Sequence, residues 1–140
     1  MTSKIRKTVL HIDDNEDFAE MLKNLITENT DLDVKHVNSG RLALEYLNQS
    51  PENLVGVISD LMMNDMDGID VLAAIRNSKS LAGIPLIMLS GADPNVFANL
   101  LEPYDFSVFI QKPADVNVLL REIEMNFLGR RGAARKFRAA

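Results

Sequence analysis

Two patterns of hydrophobic and polar positions alternate along this chain. Short apolar runs, rich in β-branched residues, end in polar loops, and after each run apolar residues recur at helical spacing. The runs predict five strands, at residues 7–12, 33–38, 54–59, 84–89 and 106–111. The segments that follow them predict five helices, at residues 16–28, 40 to about 48, 69–76, 94 to about 101 and 116–127. Strands that alternate with helices predict a parallel sheet covered on both faces.

The composition is that of one soluble globular domain. The chain has 140 residues, of which 46% are hydrophobic and 25% are charged. It contains no cysteine, which excludes disulfides and thiolate metal sites. No apolar stretch approaches the ~20 residues that span a bilayer, and no signal peptide is recognisable at the start. We therefore expect a cytoplasmic protein without a transmembrane segment.

Charge is distributed unevenly along the chain. The formal net charge is −5, although five basic residues lie after Gly129, where there are no acidic ones. The body is therefore more acidic than the whole chain, which argues against a broad nucleic-acid interface on it. We expect residues 1–128 to be the folded domain and the basic tail, residues 129–140, to be disordered or a linker.

Polar side chains follow the apolar runs at the points where the predicted strands end. The first strand ends in Asp13 and Asp14, the third in Asp60, the fourth in Ser90 and the fifth in Lys112. In a doubly wound sheet the carboxyl ends of the strands face one crevice, where such folds bind their ligands. We expect these five side chains to lie together. A capping role for Asp60 in the following turn is the alternative that this stretch alone leaves open.

The five residues form a set suited to phosphoryl transfer. Three carboxylates that approach one another repel unless a cation joins them, and oxygen ligands without His or Cys suit a hard ion, best Mg²⁺. Lys112 adds a compact positive charge and Ser90 a hydroxyl donor. Phosphoryl transfer depends mostly on such positioning and charge neutralisation. A carboxylate can also be the nucleophile and form an acyl phosphate.

In this combination the chain resembles the response-regulator receiver domains of two-component signalling, in particular single-domain receivers of the chemotaxis type. The resemblance covers residues 7 to about 128. It is carried by the Asp13-Asp14 pair, by Asp60 with the Asp67-Gly68 that follows it, and by Ser90 and Lys112-Pro113 at the family's intervals from Asp60. It implies a flavodoxin-like α/β fold, with a doubly wound five-stranded parallel sheet in the order 2-1-3-4-5 and helices on both faces.

The resemblance also implies a metal site and an acceptor. Asp60 is implied to be the phosphoacceptor and, with Asp14, to bind Mg²⁺ directly. Asp13 would hold the ion through water, and the main-chain carbonyl of Met62 would complete the protein ligands. The phosphoryl group would come from a histidine kinase or a histidine phosphotransfer protein, and the domain would then change its contacts with an unknown downstream protein.

Further roles follow from the same resemblance. Lys112 is implied to pair with the acceptor carboxylate and later with the phosphoryl group, and Ser90 to be the switch hydroxyl. Phe109 matches the switch aromatic, although a core aromatic is an equal alternative there. Gly91 would leave room at the phosphoryl group, and Pro113 suggests a cis Lys112–Pro113 bond. The domain would phosphorylate itself and lose the phosphate slowly, so it is not expected to be a turnover enzyme.

Two other classes of function remain to be weighed. A receiver-fold binding module that works without phosphorylation is the main alternative. A phosphatase with an Asp nucleophile would need a second Asp two residues later, where this chain has Met62. Of the two histidines, His11 is expected to be a core or strand-face residue and His36 to be solvated. Asn64 departs from the family, which usually has Pro at that position.

Overall fold

Five parallel strands form one sheet between two layers of helices. The computed structural model describes residues 6–63, 65–106 and 108–128. Its strands are β1 (Thr8–Ile12), β2 (Asp33–Val37), β3 (Leu54–Ser59), β4 (Leu86–Ser90) and β5 (Val108–Gln111). Its helices are α1 (Glu16–Asn29), α2 (Gly40–Asn48), α3 (Gly68–Arg76), α4 (Ala98–Leu101) and α5 (Val116–Phe127). Among these described residues no helix has the length and apolar character that crossing a membrane requires.

The strand order is β2-β1-β3-β4-β5, and each neighbouring pair is parallel. This confirms the doubly wound, flavodoxin-like sheet predicted from the sequence. The central strand β3 pairs with β1 and β4, so its carboxyl end lies between theirs. The order therefore brings the loops after β1, β3 and β4 to one edge of the sheet, with the loop after β5 beside them.

Alternate side chains along the strands enter two separate cores. Leu10, Val57 and Met88 belong to a core with α2, α3 and α4, whereas Ile58 and Ile87 belong to a core with α1 and α5. All five side chains are almost completely buried. A strand buried on both faces cannot show a simple alternation of apolar and polar residues, which explains why the strands appear in the sequence as continuous apolar runs.

The helices begin where capping side chains satisfy their first N–H groups. Asn15 Oδ1 accepts from the N–H of Phe18 at 3.0 Å, and Ser39 Oγ accepts from that of Leu42 at 3.1 Å. Asn15 is therefore the N-cap of α1, and Ser39 is that of α2. Asp14 is thereby left free of a capping role and available to the edge of the sheet.

The fourth helix is much shorter than predicted. It spans only Ala98–Leu101, whereas the sequence predicted a helix from Pro94. Asp93 explains the difference, because its side chain accepts from the N–H of Asn95 at 2.9 Å and its carbonyl from that of Val96 at 3.1 Å. These contacts make a turn that competes with the helix.

The starts of β4 and β5 also differ from the prediction. β4 begins at Leu86 rather than Ile84, because the N–H of Ile84 closes a turn onto the carbonyl of Leu81 at 3.0 Å. The described part of β5 begins at Val108, whereas the prediction began at Phe106. The predicted basic tail, residues 129–140, and the departure at Asn64 lie outside the described residues.

Arg76, at the end of α3, joins two loops through their main chain. Its Nε donates to the carbonyl of Asp105 at 2.6 Å. Its Nη1 donates to the carbonyls of Ala82 at 3.1 Å and Ile84 at 2.7 Å. Burial lowers the pKa of this half-buried guanidinium from its usual value, although the nearby Asp105 opposes the shift. The contacts fix the chain just before β4 and β5 relative to α3.

Gly56 allows α5 to pack closely on the sheet. A Cβ at this position of β3 would lie 2.2 Å from two ring carbons of Phe127. We therefore expect Gly56→Ala to destabilise the fold by about 1 to 3 kcal/mol, because the buried ring must shift. Urea denaturation would measure the change. Gly83→Ala is the control, since a Cβ there has no atom within 4 Å, and it should not destabilise.

Rescue distinguishes this contact from a general effect of the substitution. In a Phe127→Leu background, Gly56→Ala should lower the free energy of unfolding by less than it does in the wild type, since a leucine side chain is smaller and can repack. Equal destabilisation by Gly56→Ala in both backgrounds would show that the contact with the ring is not the cause.

Candidate functional site

Three carboxylates meet at the carboxyl edge of the sheet, as the sequence predicted. Asp13 and Asp14 follow β1 and Asp60 follows β3, and one oxygen from each lies within 4.8 Å of the others. Asp13 is completely buried, whereas the side chain of Asp60 keeps 12% of its surface exposed. The cluster therefore has a buried wall at Asp13 and an opening at which a ligand can reach Asp60.

Lys112 reaches this cluster from the loop after β5. Its Nζ donates to Asp13 Oδ2 at 2.6 Å and lies 3.8 Å from Asp60 Oδ2. The expected partner was the acceptor carboxylate, so the structure differs in placing the shorter contact at Asp13. The same Nζ lies 4.1 Å from the centroid of the Phe18 ring. An ammonium so enclosed by two acids and an aromatic face is a fixed positive charge of the site.

The main chain at Asp60 is held on both sides. The N–H of Asp60 donates to the carbonyl of Ile12 at 2.9 Å, which continues the pairing of β3 with β1. The buried hydroxyl of Ser59 donates to the carbonyl of Asp60 at 2.9 Å. A Cβ at Gly68 would lie 2.2 Å from that same carbonyl oxygen. Glycine at this position thus lets α3 begin directly behind Asp60.

The loop after Asp60 presents its own side chain and main chain to the opening. The N–H of Met62 donates to Asp60 Oδ1 at 3.3 Å, which is a long hydrogen bond. The Met62 side chain is 57% exposed. A hydrophobic side chain therefore lies beside Asp60, at the position where a phosphatase of the alternative class would need an acid.

The other predicted switch residues lie on β4 and β5. Ser90 is buried at the end of β4, and its Oγ accepts from the N–H of Ala92 at 3.2 Å. A Cβ at Gly91 would have open space around it. Phe109 is completely buried in the core with α2, α3 and α4. The Lys112–Pro113 peptide bond is cis.

Both histidines lie behind Asp13. His36 was expected to be solvated, but it is half-buried, and its Nε2 lies 2.8 Å from the carbonyl oxygen of Asp13. His11 is buried in β1, as predicted, with its Nε2 3.7 Å from Asp13 Oδ2. Burial lowers the pKa of His11 to about 3, against the opposing effect of Asp13. His11 is therefore neutral near pH 7, and the positive charge beside Asp13 is that of Lys112.

Asp65 holds the loop after Asp60 in place, a role that the sequence did not indicate. It lies in the loop after Asp60, and its carboxylate accepts from the N–H of Arg41 at 2.9 Å and from that of Gly40 at 3.1 Å. These hydrogen bonds, the one from Arg41 first, hold the pKa of Asp65 below its usual value. Asp65 thus joins the loop after Asp60 to the first turn of α2. Nothing in the sequence around Asp65 indicates this contact, because the first turn of α2 lies far away along the chain.

The charge and chemistry of the cluster fit Mg²⁺. The three carboxylates and Lys112 together leave an excess of two negative charges, which one divalent cation would balance. The donors are hard oxygens, and the cluster contains no thiolate or imidazole ligand among the described residues. Asp13, Asp14 and Asp60 are therefore able to hold the ion.

Comparison with known proteins agrees with this fold. The response regulator receiver domain model matches residues 9–124, so the chain belongs to this family. Its members are signalling domains of two-component systems, in which accepting a phosphoryl group is general, rather than enzymes of the usual kind.

The chain is similar to both whole proteins and parts of larger ones. The two-component response regulator ORR11 of Oryza sativa subsp. indica is 30% identical over 118 residues, which cover 82% of this chain and 79% of that protein. The CAI-1 autoinducer sensor kinase/phosphatase CqsS of Vibrio cholerae is 28% identical over 122 residues, which cover 86% of this chain but only 17% of that protein.

Solved structures show the same fold. A sensor protein from Polaromonas sp. JS666 superposes with a TM-score of 0.79 at 22% identity, covering 91% of this chain and 100% of that one. The chemotaxis response regulator CheY4 of Vibrio cholerae superposes with a TM-score of 0.75 at 22% identity, covering 86% and 98%. At these identities the likeness concerns the fold alone.

The role of Asp65 can be tested through the pH dependence of stability. We expect Asp65→Asn to lower the free energy of unfolding at pH 7 by about 0.3 to 1 kcal/mol, the range for a carboxylate at an exposed helix N-terminus. Because the pKa of Asp65 is lowered in the fold, its contribution is present above its ordinary pKa and lost as pH falls through the folded value.

Urea denaturation of both proteins between pH 7 and pH 2 measures this. The difference in stability should shrink towards zero at the acid end, where the wild-type carboxyl is protonated. Glu52→Gln, an exposed acid in the turn before β3, is the matched control. A difference that stays constant over the whole pH range would contradict a role for the ionised carboxylate.

Proposed function

We propose that this chain accepts a phosphoryl group on Asp60 and thereby changes its contacts with other proteins. The observation that carries this proposal is the position of Asp60. Its side chain keeps 12% of its surface exposed, has a carboxylate oxygen within 4.8 Å of those of Asp13 and Asp14, and lies 3.8 Å from the Lys112 ammonium. Phosphoryl transfer needs positive charge near the nucleophile, and Lys112 together with a cation held by the three carboxylates would supply it.

The proposed transfer replaces a P–N bond of the donor by an O–P bond to Asp60. An oxygen of Asp60 forms a bond to phosphorus while the P–N bond of a donor phosphohistidine breaks, and the imidazole leaves as the donor regains a proton. Mg²⁺ held by Asp13, Asp14, Asp60 and the Met62 carbonyl would neutralise charge on the phosphoryl oxygens. Lys112 offers a second positive partner, and Ser90 offers a hydroxyl that can rotate away from Ala92 to bond a phosphoryl oxygen.

Partners are proposed from the family and from its named relatives. A histidine kinase or a histidine phosphotransfer protein would supply the phosphoryl group, in keeping with a sensor kinase among the similar proteins. The receiver unit is proposed to span residues 1–128, with the basic residues 129–140 as a tail or linker, and to work in the cytoplasm. Slow loss of the phosphate from Asp60 would return the domain to its starting state.

Intact-protein mass spectrometry tests the acceptor directly. Incubation with Mg²⁺ and acetyl phosphate should add one phosphate to the wild type and none to Asp60→Asn. Chelation of the metal should abolish the adduct as well. Asp67→Asn, which changes an exposed acid of the same loop, is the control and should still be phosphorylated.

The alternatives give different results in this experiment. No adduct under conditions that phosphorylate a control receiver would favour a binding module that works without phosphorylation. An adduct that persists in Asp60→Asn would place the acceptor on another residue.

The metal site can be measured without any phosphodonor. Asp14→Asn should weaken Mg²⁺ binding by about tenfold or more, measured by isothermal titration calorimetry, because one charged ligand is lost. Asp17→Asn alters an exposed acid on the first turn of α1, outside the cluster, and should leave the affinity unchanged. Equal effects of the two substitutions would indicate a general effect of negative charge instead of ligation.

A further inference from the structure

The aromatic ring of Phe18 lies against the cation of the site. The Lys112 ammonium stands over the face of this ring, 4.1 Å from its centroid. On its other sides the ammonium meets Asp13 at 2.6 Å and Asp60 at 3.8 Å. The face of an aromatic ring attracts a cation, and more strongly where water is partly excluded, as it is for this Lys112 side chain with 18% of its surface exposed.

The ring is itself held in place. Phe18 is the third residue of α1, and its N–H is bonded to the capping side chain of Asn15. Its ring meets that of the buried His11 edge to face, with the centroids 6.1 Å apart and the planes at 61°. Helix start and ring packing thus fix where the face of Phe18 points.

We propose that Phe18 is a positioning residue for Lys112, and that its ring keeps the ammonium between Asp13 and Asp60 for the transfer reaction. The proposal rests on the function proposed above. A cation bound to the carboxylates competes with Lys112 for Asp13, whereas attraction to the ring does not depend on that carboxylate. The ring therefore still attracts the ammonium when a cation engages the carboxylates, and helps to keep it beside Asp60.

A lysine ammonium that loses its contacts within the protein extends into the solvent. Lys112 has a flexible four-carbon stem and a strongly hydrated head group, so an ammonium without a local partner turns outwards. Replacing the ring by an aliphatic side chain of similar bulk would keep the packing but remove the attraction. Lys112 would then spend less time near the acceptor, and phosphorylation of Asp60 would slow.

A series of fluorinated phenylalanines at position 18 separates attraction from packing. Successive ring fluorines withdraw electron density from the face while the ring keeps almost the same size. In the full chain, the rate of Asp60 phosphorylation by acetyl phosphate should fall stepwise along the mono-, di- and trifluorinated series. The last member, like Phe18→Leu, should be about two- to fivefold slower than wild type, the rate equivalent of an exposed cation–π contact.

Phe97 offers a matched control for the series. It is also half-buried, and its ring has no cation–π contact within the described part of the chain. Fluorination there should leave the rate unchanged. A general effect of fluorine on folding would instead appear at both positions.

Nuclear magnetic resonance gives a readout that needs neither metal nor phosphodonor. The ε-methylene protons of Lys112 should show an upfield ring-current shift in the wild type that is lost in Phe18→Leu. Absence of this shift, or a rate that stays constant along the fluorinated series, would overturn the positioning role while Asp60 is still phosphorylated. Failure of the wild type to form any adduct would instead overturn the proposed function, and this role with it.

Discussion

Mutual repulsion of three carboxylates is the constraint around which this molecule is organised. Two unit charges 4 Å apart near a protein surface interact by about 4 kcal/mol, which exceeds the net contribution of a typical hydrogen bond. Asp13, Asp14 and Asp60 are nevertheless brought within reach of one another. The ammonium of Lys112 offsets part of that repulsion, and the remaining excess of negative charge makes the site receptive to a divalent cation.

The main chain around the acids is anchored for the same reason. The backbone of Asp60 is tied to β1 and to Ser59, and the close approach of Gly68 places α3 directly behind it. His36 binds the carbonyl of Asp13 from β2. These contacts are made by polar groups of the sheet and its loops, so the fold itself holds the backbone of the site in position.

Sequence reasoning was most successful where one physical rule decides the outcome. Continuous apolar runs marked strands buried on both faces, and residues at strand ends marked the site, because parallel strands share one edge. It failed where a local polar contact competes with periodicity, as at Asp93, whose side chain replaces the first turn of the predicted helix. It also could not foresee the contacts of His36, Asp65 or Phe18, since each joins segments whose distance apart only the folded chain determines.

Arg76 recognises its neighbours through atoms that every residue possesses. Its side chain donates three hydrogen bonds, and all of them end on main-chain carbonyl oxygens, those of Ala82, Ile84 and Asp105. The hydrogen bonds that fix the path of these two loops therefore do not depend on which side chains the loops carry. As long as the arginine is retained, the surface beside α3 can diverge during evolution and acquire new specificities without redesign of the scaffold beneath it.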